Sequence, residues 1–109
     1  MRKIETNMNE AIQNDKNWAG ANTTVRHDHG VAFVFLHGNL ICEIGDDWMK
    51  LMDGGWQSKT TKSRLNALLT EFGKAGERVF QKAGEWFVTL NMAGGELVTV
   101  PFRSGMRLA

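Results

Sequence analysis

The residues best suited to chemistry lie in one short run, Trp-Gln-Ser-Lys-Thr-Thr-Lys-Ser-Arg, at positions 56–64. Ser58, Thr60 and Thr61 within the run are good helix N-cap candidates, so a helix should begin here. Free N–H groups at a helix start bind anions, and basic or hydroxyl side chains add donors for phosphate oxygens. An exposed indole can stack on a nucleobase. The run therefore predicts an anion or nucleic-acid site. Its candidate residues are Trp56, Ser58, Lys59, Thr60, Lys62 and Arg64.

The charge around this run favours a binding face but leaves a second interpretation open. Residues 58–82 contain six Lys or Arg and two Glu, a net charge of +4, whereas the whole chain carries +1. A sign asymmetry of this kind can mark a surface that binds nucleic acid. The alternative is an ordinary solvated helix, with the lysines in water and Trp56 packed beneath the turn.

Three histidines raise the question of a metal site. His27 and His29 flank an aspartate, and His37 follows one hairpin later. His29 and His37 fall in turn segments at the two ends of a six-residue strand, which spans about 20 Å. One zinc ion needs all its ligands within about 2 Å of the metal. We therefore predict turn and edge histidines, no metal and no cofactor.

Other reactive residue types also lack the surroundings that catalysis requires. Cys42 alternates with Leu40 and Ile44 on an apolar strand face, which is typical of a buried thiol rather than a nucleophile. Asp46 and Asp47 belong to a turn whose spacing does not match a calcium loop. The segment 54–60 lacks the spacing of a phosphate-binding loop. The sequence thus favours a protein that is not an enzyme.

The run at 56–64 leads into the helix around which we expect the fold to be organised. Leucines and a phenylalanine recur at i, i+3, i+4 and i+7, which defines one helix face. This face comprises Leu65, Leu68, Leu69 and Phe72. Gly73 is a natural end for the helix. We expect the apolar face to be buried against Phe33, Phe35 and either Val79 or Phe87.

Strand-like segments lie on both sides of this helix. Four precede it, at 23–27, 31–36, 40–44 and 48–52, and three follow it, at 78–81, 85–90 and 96–102. A further helix over 2–15 has a narrow apolar stripe, so it should lie on the surface or be held by a partner. We predict an α+β fold with the order α-β4-α-β3. In this fold an antiparallel meander sheet curls over one central helix, and the N-terminal helix is additional.

The composition sets the broad class of the protein. The chain has 109 residues, of which 42% are hydrophobic and 23% charged, values typical of one folded domain over 1–109. Cys42 is the only cysteine, so an intrachain disulfide is excluded. The first residues lack the apolar run of a signal peptide, and no segment approaches the length of a membrane span. The expected location is therefore the cytoplasm.

Two segments also resemble a family of known sequences. They read Phe-Val-Phe-Leu-His-Gly-Asn-Leu-Ile-Cys-Glu-Ile at 33–44 and Gly-Trp-Gln-Ser-Lys-Thr-Thr-Lys-Ser-Arg-Leu-Asn-Ala-Leu-Leu at 55–69. With Met-Asn-Glu-Ala-Ile at 8–12 and Trp86-Phe87, they resemble small uncharacterised proteins encoded by tailed bacteriophages. The resemblance implies no activity and no site residues. It implies a setting, namely a phage protein made in the cytoplasm of an infected bacterial host.

Together these observations give two functional hypotheses. The first is a non-enzymatic phage protein that binds a host target, in the manner of host-takeover or anti-defence proteins. Four tryptophans and the narrow N-terminal stripe suggest a protein interface or a homo-oligomer. The second is a nucleic-acid-binding module that uses the basic stretch 59–82. The expected partners are a host protein or nucleic acid, and not a membrane.

Overall fold

Two helices and nine strands make up the part of the chain described by the computed structural model, Met1–Leu108. The helices are α1 (Lys3–Gln13) and α2 (Lys59–Phe72). Five strands lie between them: β1 (Trp18–Ala19), β2 (Thr23–Asp28), β3 (Val31–Leu36), β4 (Asn39–Ile44) and β5 (Met49–Leu51). Four follow α2: β6 (Arg78–Lys82), β7 (Glu85–Asn91), β8 (Leu97–Pro101) and β9 (Met106–Leu108). All neighbouring strands are antiparallel, which confirms the predicted α+β class.

The strands form two sheets, where the sequence predicted one meander. The first sheet has the order β1-β2-β3-β4-β5-β9, and the second has the order β6-β7-β8. Two short strands were missed in the prediction. β1 lies between the predicted N-terminal helix and the first predicted strand, and β9 follows the last predicted strand. β9 follows the second sheet along the chain and returns to pair with β5 at the edge of the first sheet.

Three hairpins share the same two-residue turn, in which glycine follows another residue. The pairs Asp28↔Val31, Leu36↔Asn39 and Lys82↔Glu85 close these turns. Both turn residues have positive φ in each case: His29-Gly30, His37-Gly38 and Ala83-Gly84. Turns of this kind match the right-handed twist of the flanking strands. Two of the three histidines are therefore turn residues, at opposite ends of β3.

The inner faces of both sheets pack around α2. Leu65, Leu68 and Leu69 are buried as predicted, whereas Phe72 is only partly buried. The predicted partners Phe33 and Phe35 are wrong, because β3 turns Ala32, Val34 and Leu36 inward and leaves the phenylalanines on its outer face. In the second sheet, Val79 and Val88 face the core, whereas Phe87 stacks on Phe80 on the outer face.

The N-terminal helix is part of the domain rather than a free surface element. α1 packs against both α2 and β2, and its buried residues are Glu5, Met8, Asn9, Ala11 and Ile12. Two of these are polar, which is why the apolar stripe looked too narrow for a packed helix. The amide nitrogen of Asn9 donates to the backbone carbonyl of Ala67 at 3.2 Å. The narrow stripe therefore no longer supports a partner interface.

Candidate functional site

A rigid loop precedes α2 and presents the candidate tryptophan. The carboxylate of Asp53 accepts a hydrogen bond from the Gly55 N–H at 2.8 Å and one from the Gln57 side chain at 3.3 Å. Gly54 and Gly55 have φ of 68° and 84°, a backbone region that disfavours residues with a Cβ. The Trp56 N–H also donates to the Asp53 carbonyl at 3.2 Å. Several bonds converging on Asp53 thus fix the backbone of the loop.

Ser58, one of the three predicted N-cap candidates, caps α2. Its hydroxyl oxygen accepts from the Thr61 N–H at 3.1 Å, which satisfies one of the free donors of the first turn. The Thr61 hydroxyl in turn donates to the Trp56 carbonyl at 3.2 Å. Two of the hydroxyl groups in this run therefore hold the helix start and the preceding loop together. They leave fewer free donors for an anion than the sequence suggested.

Trp56 is the most exposed large hydrophobic residue that the structure describes, with 75% of its surface accessible. It lies beside a cavity of about 300 Å³ between the end of β3, the start of β4 and the head of α2. The lining residues are Leu36, His37, Asn39, Ile41, Asp53, Gly54, Trp56, Ser58 and Thr61. The alternative that Trp56 packs beneath the turn is wrong. We refer to Trp56 and this cavity as the Trp56 site.

Three further candidate residues lie at the surface near this site. Lys59 is exposed, and Thr60 and Lys62 are partly exposed. Neither lysine forms an ion pair within the part of the chain that the structure describes. Both lysines lie in the first turn of α2, a few residues after Trp56 and at the positive end of the helix dipole.

Arg64 does not belong to this surface, and its assignment as an anion contact is corrected here. Only 3% of its surface is accessible, and its Nη1 lies 2.8 Å from Oε2 of Glu5. Its Nε donates to the Thr23 hydroxyl at 3.0 Å, and its Nη2 donates to the Asn22 side-chain oxygen at 3.1 Å. All three guanidinium nitrogens donate hydrogen bonds within the protein. Arg64 therefore connects α1, α2 and β2 and is not free to bind a phosphate.

Glu5 is the other half of this buried ion pair. It accepts from the Ser63 hydroxyl at 2.6 Å and from the Arg2 N–H at 3.2 Å, besides its bond to Arg64. Burial opposes ionisation, but these hydrogen bonds and the Arg64 charge outweigh it and hold the Glu5 pKa below its usual value of 4.5. This pair could not be predicted from a local sequence pattern, because 59 positions separate Glu5 from Arg64 along the chain.

The remaining cations of residues 58–82 do not extend the Trp56 site into a continuous basic face. Lys74 follows the C-terminal end of α2, a 14-residue helix that is about 21 Å long. Arg78 lies on the outer face of the second sheet, where its guanidinium is 4.9 Å from the ring centroid of Phe80. The charge of +4 in the sequence is therefore spread over several separate surfaces.

The other candidates for metal binding or catalysis are also separate from one another. His27 is partly buried on β2, where its backbone N–H donates to the Asn17 side chain at 2.8 Å. Among the described residues, no three His, Cys, Asp or Glu side chains are grouped so that they could hold a metal ion. Cys42 is fully buried, and burial, together with the neighbouring Glu43 charge, raises the pKa of its thiol well above the usual range. A thiol in this state is not a nucleophile.

A second, larger cavity of about 460 Å³ lies at the opposite end of α2 and was not predicted. It is bounded by the β4–β5 turn, the C-terminal end of α2 and the last strand. Its lining includes Asp46, Asp47, Trp48, Phe72 and Glu77. Trp48 packs on Gly45, where an added Cβ would clash with the indole ring. The Glu77 carboxylate binds the N–H groups of Lys74 and Asn91, so it serves the local structure.

Fold and site together define a small α+β protein with an exposed aromatic residue beside a preformed cavity. The family model of the Kyanoviridae Gp96 protein matches residues 1–109, so the chain belongs to this phage protein family. No curated protein and no solved structure matches the chain. Neither of the two helices in the described residues is long and apolar enough to cross a membrane.

Proposed function

We propose that this phage protein is a non-enzymatic binding protein that captures a host protein inside the infected bacterium through the Trp56 site. The observation that carries the proposal is the 75% exposure of Trp56 next to a cavity of about 300 Å³. Tryptophan is enriched among the residues that dominate binding energy at protein interfaces. Here a large apolar side chain is exposed to water beside a cavity lined in part by Leu36 and Ile41, and a bound partner would bury both.

The rigidity of the surrounding loop supports the same proposal. The bonds from Gly55 and Gln57 to Asp53, and from Thr61 to the Trp56 carbonyl, fix the backbone that carries the indole. A loop that is ordered before binding loses little entropy when a partner docks. Asp53 is the carboxylate of this site, and its oxygens are occupied in holding the loop. This occupation favours a binding role for the site over an acid–base role.

Capture from host lysate by variants of the chain tests this function. The immobilised wild-type chain should retain one or a few host proteins, identified and quantified by mass spectrometry. Trp56→Ala should lose them, because the indole supplies the main buried contact. Met92→Ala is the matched control, since Met92 is 48% exposed in the β7–β8 loop and does not line the Trp56 site. Host proteins retained equally by all three chains would contradict the proposal.

A second candidate function is binding of single-stranded nucleic acid at the same site. The observation that favours it is an exposed indole at position 56 followed by Lys59 and Lys62 in the first turn of α2, since stacking and phosphate contacts together bind single strands. Loss of Arg64 from the surface limits the number of phosphate contacts. Binding should therefore be weak, with a dissociation constant of about 10⁻⁴–10⁻⁶ M.

Fluorescence anisotropy with single- and double-stranded DNA and RNA distinguishes the two functions. In the nucleic-acid case, Lys59→Ala and Lys62→Ala should each weaken binding and reduce the salt slope by about one unit. Trp56→Ala should weaken single strands more than duplexes. Lys74→Ala is the control, because Lys74 lies at the other end of α2. If none of the four probes binds at low salt, this second function is excluded, whereas host-protein capture should persist at high salt.

A further inference from the structure

The free edge of the second sheet is formed by β8. Phe102 N–H donates to the Trp86 carbonyl at 2.9 Å, and Met92 N–H donates to the Glu96 carbonyl at 2.7 Å. Hydrogen-bonded pairs alternate along an antiparallel ladder, so Val98 and Val100 also bond towards β7. The N–H and C=O groups of Leu97 and Thr99, and the C=O of Pro101, therefore point away from the sheet. Pro101 has no N–H, and at this position its absence costs the ladder nothing.

The other sheet edges in the described chain are short or already occupied. In the second sheet, the Asn66 side chain binds both the N–H and the C=O of Val79 at the edge of β6, at 2.7 and 2.9 Å. In the first sheet, the edge strands β1 and β9 have two and three residues. The Asn17 side chain covers the next free N–H on β2, that of His27. Only β8 presents a five-residue edge whose central backbone groups have no partner among the described residues.

We propose that two copies of the chain pair through β8, antiparallel and symmetric about Thr99, to form one continuous six-stranded sheet. In this register Thr99 exchanges both backbone hydrogen bonds with Thr99 of the second copy. The Leu97 N–H donates to the Pro101 carbonyl of the second copy, and the Leu97 N–H of the second copy donates to the Pro101 carbonyl of the first. The free backbone groups of β8 lie at equal distances on either side of Thr99, so this edge is self-complementary in the way that a two-fold interface requires.

The side chains at the ends of β8 favour a second copy of this chain as the occupant. Glu96 precedes the strand and Arg103 follows it, and both are exposed and form no ion pair within the described residues. In this register Glu96 lies one position from Arg103 of the second copy, so antiparallel pairing brings the acidic end of one strand near the basic end of the other at both ends of the interface. Leu97, which is 54% exposed, would be partly covered by the same pairing.

Engineered cysteines at matched positions test the register. Residue 99 lies directly opposite itself across the two-fold axis, with Cα atoms about 5.5 Å apart, a separation that a disulfide can span. Oxidised Thr99→Cys should therefore give a covalent dimer on a non-reducing gel. Thr89→Cys is the matched control, because its hydroxyl lies 3.2 Å from that of Thr99 on the same sheet face but one strand further from the edge. The wild-type chain controls for the buried Cys42.

The oligomeric state in solution provides a second, non-covalent measurement. Light scattering after size exclusion should give twice the mass of one chain for the wild type. Thr99→Lys should give the mass of one chain, because it places like charges opposite each other across the axis. Trp56→Ala should remain dimeric, which separates this proposal from the host-binding function. A monomeric wild type at high concentration, or equal cross-linking of Thr99→Cys and Thr89→Cys, would overturn the proposal.

Discussion

Two neighbouring basic positions on α2 have opposite environments. Lys62 is partly exposed and forms no ion pair among the described residues, whereas Arg64 is 3% exposed and bonded to Glu5. Each residue turns a helix by about 100°, so two positions separate side chains by about 200°. Basic residues in the same helix start can therefore have different roles. One side of α2 is available to a ligand, and the other side holds the fold together.

The largest expected effect on stability comes from removing the buried arginine. Arg64→Ala should lower the free energy of unfolding by about 3–5 kcal/mol, because it leaves the Glu5 carboxylate buried without its partner. Urea denaturation followed by tryptophan fluorescence measures this loss. Lys62→Ala is the matched control and should change stability by about 0.5 kcal/mol or less. Equal effects of the two substitutions would mean that the ion pair has no special structural role.

Truncation of a buried leucine on the same helix should cause the next largest loss of stability. Leu68 is fully buried, so Leu68→Ala should cost about 2–5 kcal/mol through lost burial and the cavity that remains. The same denaturation experiment measures it. A cost near zero would show that α2 is not the centre of the core.

A smaller loss is expected at the contact between α2 and the second sheet. Asn66→Ala removes two hydrogen bonds to Val79 and leaves both backbone groups of that residue without a partner. The expected cost is about 1–3 kcal/mol. Hydrogen exchange should also show faster exchange of the Val79 N–H. Unchanged protection at that amide would contradict the role assigned to Asn66.

The pH dependence of stability tests the role of Glu5, the acidic partner of Arg64. The Glu5 pKa is lower in the folded state than its usual value of 4.5, so its contribution is present above that pH. The contribution is lost as the pH falls through the folded-state pKa. Glu5→Gln should therefore be less stable than the wild type at pH 7 and should lose less stability in acid. Parallel stability curves for the two proteins below pH 5 would contradict this expectation.

The smallest effect on stability is expected at the exposed side. Trp56→Ala should change the free energy of unfolding by about 0.5 kcal/mol or less, since the indole is largely in water. The same variant should lose partner binding, so stability and binding separate at this residue. A loss of several kcal/mol would place Trp56 among the structural residues and remove the basis for the proposed site.

The sequence predicted the elements with a local signal and missed those that depend on distant residues. Ser58 as the N-cap and the leucine stripe of α2 follow from spacing within a few positions, and both are confirmed. The strand Val31–Leu36 is apolar at every position, so its sequence does not show which side chains face the core. The choice of Val34 over Phe33 follows from the register with the neighbouring strands.

The candidate site was predictable to a similar extent. Trp56, Lys59 and Lys62 were chosen for their residue types and positions at a helix start, and the structure leaves all three at least partly exposed. Burial of Arg64 was not predictable, because it depends on Glu5 in α1 and on Asn22 and Thr23 before and within β2. The cavity beside Trp56 was missed for the same reason. Its floor combines Leu36 and Ile41 with the head of α2, a juxtaposition that only the folded chain creates.

The pairing of β5 with β9 has a consequence for folding during synthesis. The register joins Leu51 to Met106, so one edge of the first sheet is completed only by residues that follow the whole second sheet. A nascent chain that has emerged only as far as β8 exposes the edge of β5 to other chains. Pairing across such a long loop is slow compared with closing a hairpin. We therefore expect β9 to dock late, and ribosome-bound chains that end before Arg103 to be more open to proteolysis around β5.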